Sequence, residues 1–159
     1  MGTIDTRRRA IVVTILAAVA ATVAGGASIA HAGSTGRAHG EFVLTETTTQ
    51  RASVDVDGSG GPSPGDAFMF RSVLSNPAGT AVGSVDGHCT TLLGGRVLCH
   101  SVVSLAHGTL STTFVAAAGS ATLAISIDGG TGLYDRARGQ ISATRATSVA
   151  FRETFDIDR

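Results

Sequence analysis

One feature constrains this chain above all others: beyond residue 40, short apolar and Thr-rich runs alternate with turn signals, and no segment sustains a helical period between caps. The runs are Glu41–Thr49, Asp66–Ser75, Thr80–Thr91, Arg96–Leu105, Thr109–Ala117, Ala121–Asp128, Gln140–Ser148 and Ala150–Ile157. Between them lie Asp55–Gly65, Asn76-Pro77-Ala78-Gly79, Gly94-Gly95, His107-Gly108, Gly119-Ser120 and Gly129–Gly139. Such regular spacing of short runs and turns is the mark of an all-β domain. Short antiparallel strands in sequence favour a meander, and eight of them can close into a barrel that leaves no edge exposed. Periodicity alone does not demonstrate closure, so a β-sandwich stays open as the alternative.

The first 32 residues do not fit that pattern. Arg7-Arg8-Arg9 precedes the uncharged apolar run Ile11–Ala30, and Ala30-His31-Ala32 supplies small residues for cleavage before Gly33. A basic start, an apolar stretch and an A-x-A site describe a secretory signal peptide over residues 1–32. A retained anchor is the competing reading, because the run is long enough to be considered as one. Thr6-Arg7-Arg8 loosely resembles a twin-arginine signal. The expected organisation is therefore a cleaved leader (1–32), a flexible N-terminus (33–40) and one β-barrel domain (41–159), secreted to the cell exterior. No membrane association is expected once the leader is removed.

Composition narrows the partners. The 159 residues carry 12 basic and 12 acidic side chains, and loss of the leader leaves the domain slightly acidic. No basic patch stands out, which argues against nucleic acid. Trp is absent and aromatics make up 4%, so the core rests on Val, Leu, Ile, Ala and a few Phe. All the fixed side-chain cations are Arg, without the clustering that dedicated anion binding would need.

Outside the cytoplasm two cysteines in a small domain read as a disulfide. The segment from His88-Cys89 to Cys99-His100 is nearly symmetric about Gly94, so a hairpin centred there sets Cys89 opposite Cys99. Opposed residues have Cβ atoms about 4.5–5.5 Å apart, close to what a disulfide requires. The same register sets His88 opposite His100. Neighbouring strand residues point to opposite faces, so the two Cys and two His do not converge on one zinc ion. The histidines are then solvated or packed, or form a two-His site on their own face. No metal site is expected overall: Asp55 and Asp57 in DVDGSG look like a fragment of a calcium loop that lacks the remaining ligand spacing.

Ile125–Gly139 reads ISIDGGTGLYDRARG. A phosphate-cradling loop would open a helix, whereas strand-like sequence follows here, so the glycines serve a tight backbone turn. The pattern Gly-Gly-Thr-Gly-x-Tyr-x-x-Ala-Arg-Gly over Gly129–Gly139 resembles the signature of dirigent proteins and of the allene oxide cyclase barrel-like proteins of bacteria. Ser63-Pro64-Gly65-Asp66, Gly79-Thr80-Ala81-Val82-Gly83 and the Cys89/Cys99 pair resemble further family features in the same order. The resemblance covers roughly 41–157. It implies an eight-stranded antiparallel barrel, similar to lipocalins and often trimeric, hence a homo-oligomer.

The resemblance also implies a choice of functions, none of which calls for a cofactor. Dirigent proteins guide radical coupling without oxidising their ligands; allene oxide cyclases close a ring inside the barrel. The leading expectation is a secreted dirigent-like barrel holding a small apolar or phenolic molecule. A cofactor-free cyclase or isomerase is the first alternative, and a structural or surface barrel packed shut is the second.

Eight strands can enclose one small ligand, and chemistry there needs a few inward polar groups. Phe151, Glu153, Phe155 and Ile157 share one face of the last strand, and Phe42, Leu44 and Glu46 share one face of the first. Closure makes these strands neighbours, so Glu46 and Glu153 become candidate catalytic acids if those faces point inward; the competing reading turns them outward or into water at a rim. Arg71, Arg138 and Arg145 are candidate inward cations. By family resemblance Arg138 is a candidate catalytic residue, and Tyr134 and Asp135 candidate ligand contacts. Arg71, Phe151 and Phe155 complete the expected ligand-binding set. Asp135 and Arg138 can equally hold their own turn together. No G-x-S-x-G motif supports hydrolysis.

Overall fold

A computed structural model describes residues 39–158; the proposed leader and most of the flexible N-terminus lie outside the described residues. Eight strands follow one another in order: β1 (His39–Val54), β2 (Ala67–Ser75), β3 (Ala81–Thr91), β4 (Arg96–Leu105), β5 (Gly108–Ala117), β6 (Thr122–Gly130), β7 (Arg138–Arg145) and β8 (Ala150–Asp158). Each pairs antiparallel with the next, and β8 pairs back onto β1, so the sheet closes into a barrel. The sandwich alternative is thereby excluded. Closure satisfies every strand's ladder groups without an edge.

Alternation along the strands fills the interior as the sequence pattern requires. On β8, Glu153, Phe155 and Ile157 are buried while Arg152 and Asp156 are exposed. On β6, Ile125 and Ile127 are buried between exposed Ala124, Ser126 and Asp128. The first strand departs from simple alternation. It runs five residues further than its sequence pattern suggests, and its pairing with β2 shifts between Thr48 and Gln50. A bulge of this kind adds one residue and reverses which parity faces inward.

The two ends of the barrel differ. At one end Leu44, Leu74, Leu110, Ile127, Ile141, Phe155 and Ile157 form a continuous core, with Phe42 and Tyr134 packed against it. Phe42 stacks on Phe155 with centroids 4.7 Å apart and planes at 10°. The β6–β7 connection belongs to this end. A side chain at Gly130 would lie 2.5 Å from the carbonyl oxygens of Thr109 and Tyr134, and Gly132 (φ 62°) lies against the His107 carbonyl. The glycines of the motif let the connection press onto the β4–β5 turn.

The other end is built around the disulfide. Cys89 and Cys99 are bonded, directly opposed and 1% exposed, and they pack with Val97, Phe68, Phe70 and Phe114. His88 and His100 project to the outside, ring centroids 5.6 Å apart, and His100 Nδ1 lies 3.1 Å from Thr113 Oγ1. The opposite-face argument made from the hairpin symmetry holds.

Candidate functional site

A cavity of about 330 Å³ opens at the disulfide end of the barrel. That is the lower range of volumes that hold a small ligand. Its walls are apolar and aromatic: Phe68, Phe70, Phe114, Phe151, Leu123 and the disulfide itself. Space for Phe70 depends on a missing side chain, because a Cβ at Gly87 would come within 2.5 Å of the Phe70 ring. A barrel packed shut throughout is therefore not what this sequence builds.

Glu46 and Glu153 both line the cavity. In the β1–β8 register Glu46 faces Phe151 and Leu44 faces Glu153. The two acids are thus diagonal neighbours on one face, within side-chain reach. Glu153 is 3% exposed. Burial, then the Glu46 carboxylate beside it, then the hydrogen bond between the two side chains raise its pKa to about 9. At neutral pH Glu153 keeps its proton, because a buried carboxylate in that apolar setting costs more than the neutral acid. The pair can donate a hydrogen bond into the cavity or deliver a proton.

Other polar groups of the interior are satisfied locally. Ser101 Oγ and Thr112 Oγ1 are 2.6 Å apart, and Ser72 Oγ donates to Thr48 Oγ1 at 3.3 Å.

Two arginines also line the cavity. Arg145, anticipated as an inward cation, lies over the Phe151 ring at 4.7 Å and donates from Nη2 to the Ser120 carbonyl at 2.9 Å. Arg51 lies over the Phe68 ring at 4.1 Å. Sequence reasoning missed Arg51, because the bulge changes the parity of β1 beyond Thr48. No signal in the residues themselves marks that bulge.

Several sequence candidates do not reach the cavity. Arg71 lies on the outer face, one residue out of phase with Phe70 and Ser72, and pairs with Asp86 at 2.6 Å. Tyr134, Asp135 and Arg138 lie in or beside the β6–β7 connection at the packed end, away from the cavity walls. There Tyr134 packs on the core, the exposed Asp135 lies 3.6 Å from Arg136, and Arg138 donates to the Ala137 carbonyl at 2.9 Å. These contacts serve the turn. Phe155 is inward and wholly buried, but it sits in the plug below the cavity; Phe151 does line the wall.

In the β1–β2 loop the carboxylates of Asp55, Asp57 and Asp66 lie within 4.8 Å of one another. Asp66, beyond the DVDGSG segment in sequence, joins its two aspartates in space. Backbone N–H groups organise the cluster: Gly58 and Gly60 donate to Asp55, Ser59 to Asp57, and Val56 and Ser63 to Asp66. The Val56 and Ser63 amides hold the Asp66 pKa below its ordinary value. Among the described residues no helix is long and apolar enough to cross a membrane.

No protein-family model matches the chain, and no curated protein matches it in sequence. Solved structures do match in shape. A pyocyanin demethylase superposes with a TM-score of 0.65 at 25% identity, over 73% of this chain and 98% of that one. A nonspecific heme-binding cyclase of neoabyssomicin biosynthesis gives 0.63 at 18%, over 80% of this chain and 66% of the other. A pterocarpan synthase dirigent protein gives 0.61 at 15%, over 77% and 87%. The resemblance carried by the Gly129–Gly139 motif thus holds at the level of fold: this chain folds as the dirigent proteins and their cyclase counterparts do.

Proposed function

We propose that this protein is an exported barrel that binds one small planar apolar or phenolic molecule in its open half, in the manner of a dirigent protein. The observation that carries the reading is the aromatic cavity with a single proton-bearing acid pair in its wall. Phe68, Phe70, Phe114 and Phe151 offer ring faces for stacking. The Glu46–Glu153 pair offers both a donor and an acceptor to a phenol or carbonyl oxygen. The disulfide supports export, since such bonds persist in oxidising compartments. The shape likeness to a demethylase, a cyclase and a dirigent protein agrees with a small-molecule role.

Binding of naphthol, a neutral planar phenol, tests this reading. Titration calorimetry, a readout that an introduced Trp does not disturb, measures it. Saturable binding that is lost when Ala116→Trp fills the cavity is the expected result. Binding that is absent, or indifferent to Ala116→Trp in a variant that still melts cooperatively, overturns it.

A second reading has one specific observation in its favour. An acid whose pKa is raised to about 9 remains protonated at neutral pH and can act as a general acid. Donation of the Glu153 proton to a ligand oxygen, with a proton returned to Glu153 from the rearranged ligand, balances a cofactor-free cyclisation or isomerisation. Turnover of a bound ligand that disappears in Glu153→Gln while binding persists distinguishes this enzyme from a binding barrel.

A further inference from the structure

The cavity is chemically lopsided, and the lopsidedness selects among ligands. Resting on the proposal that the cavity binds a small molecule, we infer that its ligand is a planar molecule bearing a carboxylate, held by Arg51 and Arg145 while its other end meets the Glu46–Glu153 pair.

The two guanidiniums line the same apolar cavity, yet neither has a carboxylate within ion-pair distance among the described residues. Among the described residues no ion pair joins either arginine to Glu46 or Glu153. Glu153 keeps its proton, and its interactions are with Glu46 rather than with an arginine. On the outer face Arg71 does pair, with Asp86 at 2.6 Å. An arginine facing an apolar cavity without an anion retains N–H donors that water alone satisfies, and a carboxylate answers its fork geometry with two parallel bonds.

Each guanidinium is also held in place. Phe68 lies under Arg51 and Phe151 under Arg145, and the Ser120 carbonyl fixes one nitrogen of Arg145. Stacking on a ring leaves the in-plane N–H edge free, and prior immobilisation lowers the entropy lost on binding. Ser120 belongs to the β5–β6 turn and Arg145 ends β7, so this contact ties two loops of the open end together.

The register supplies a length. Ala143 faces Glu153 and Arg145 faces Phe151 in the β7–β8 pairing. Arg145 therefore lies two strand residues beyond the acid, roughly 7 Å along the barrel. A fused two-ring skeleton spans that interval, with a hydroxyl or carbonyl at the acid pair and the carboxylate at the arginine. Long saturated chains and neutral polyols match neither the flat aromatic walls nor this spacing.

Matched probes test the inference. Naphthoate and naphthamide share size and shape and differ in charge; naphthol reports the cavity itself. Naphthoate is expected to bind about tenfold more tightly than naphthamide, the range a charge-assisted pair provides. The preference should shrink as salt rises, since the open end admits solvent. In Arg51→Gln/Arg145→Gln the ratio of naphthoate to naphthamide affinity should fall to about one, whatever the change in naphthol binding, which is measured alongside to correct for any change in the cavity itself; Arg51→Lys/Arg145→Lys should keep part of the preference. Equal binding of naphthoate and naphthamide by the wild type, or a preference that survives the double Gln variant, overturns the inference while leaving the binding cavity in place. Failure of all three probes to bind overturns both readings.

Discussion

The two ends of this barrel are made from the same eight strands and the same alternation, yet they do different things. At the packed end Leu44, Leu74, Leu110, Ile127, Phe155 and Ile157 fill the interior, and the Gly130–Gly132 connection lies against the β4–β5 turn. At the other end the inward positions include Glu46, Glu153, Arg51, Arg145, Ser101 and small residues such as Ala116. Substituting polar and small residues for Leu and Phe leaves a hollow, and the hollow needs bracing. The disulfide across β3 and β4 and the rings stacked beneath the arginines supply it. One end is thus packed solid, and the other keeps the acid pair and the two arginines around a hollow.

The largest effect that separates the ends concerns two phenylalanines of the same strand. Phe155→Ala removes a fully buried ring from the plug and should cost about 3–5 kcal/mol. Phe151→Ala, in the half-open wall, should cost about 1–2 kcal/mol, because a surface that already borders a cavity loses fewer contacts. Thermal melts of both variants decide it; equal losses would erase the distinction between plug and cavity. Replacing Cys89 and Cys99 by Ala opens a loop with a sequence separation of 10 and should cost about 2–3 kcal/mol. Denaturant titration measures this, and the probes above should then bind more weakly than the stability loss alone explains, since the bond lines the cavity.

A third comparison rests on the acid pair, and its sign follows from linkage. The Glu153 pKa is raised from 4.5 to about 9 in the folded protein. Below pH 4.5 both folded and unfolded chains hold the proton, and nothing is lost. As pH climbs through the interval up to about 9, the unfolded chain releases its proton while the folded one retains it, so stability falls. Melting temperature should therefore decline across that interval, and Glu153→Gln should flatten the decline. At about pH 8 the variant should melt about 5 °C above the wild type, a shift of the size that one or two kcal/mol produce in a domain of this length. A Glu153→Gln profile parallel to that of the wild type would mean that the pair titrates as ordinary surface acids.

The smallest effect belongs to the outer face. Arg71→Ala should change stability by no more than about 0.5 kcal/mol and leave probe binding untouched, because its pair with Asp86 is solvated. A loss of binding in that variant would return Arg71 to the site from which its outward orientation removes it.

How much of this was legible beforehand differs by level. Strand order and most boundaries followed from turn residues and period, since both are local properties of the chain. The Cys89–Cys99 opposition followed from the symmetry of one hairpin. The nearness of Glu46 and Glu153 required one further step, the assumption that the last strand closes on the first, and the β1–β8 register supports it. The candidates that lie away from the cavity do so for physical reasons. Tyr134, Asp135 and Arg138 come from a motif whose glycines shape the packed end, and a motif marks where backbone geometry is demanding without saying which end of a barrel is hollow. Arg71 was credited for its charge alone, although Phe70 and Ser72 beside it already occupied the inward phase.

The sequence by itself determined an all-β meander of eight strands, its disulfide hairpin and the apolar face of each strand, because period, turn chemistry and cross-strand opposition act over a few residues. Only the tertiary structure decided which end would be open, that Arg51 would face inward past the bulge, and that Glu153 would hold its proton. Those outcomes depend on what seven other strands place around each side chain, and burial is a property of the closed barrel rather than of any segment within it.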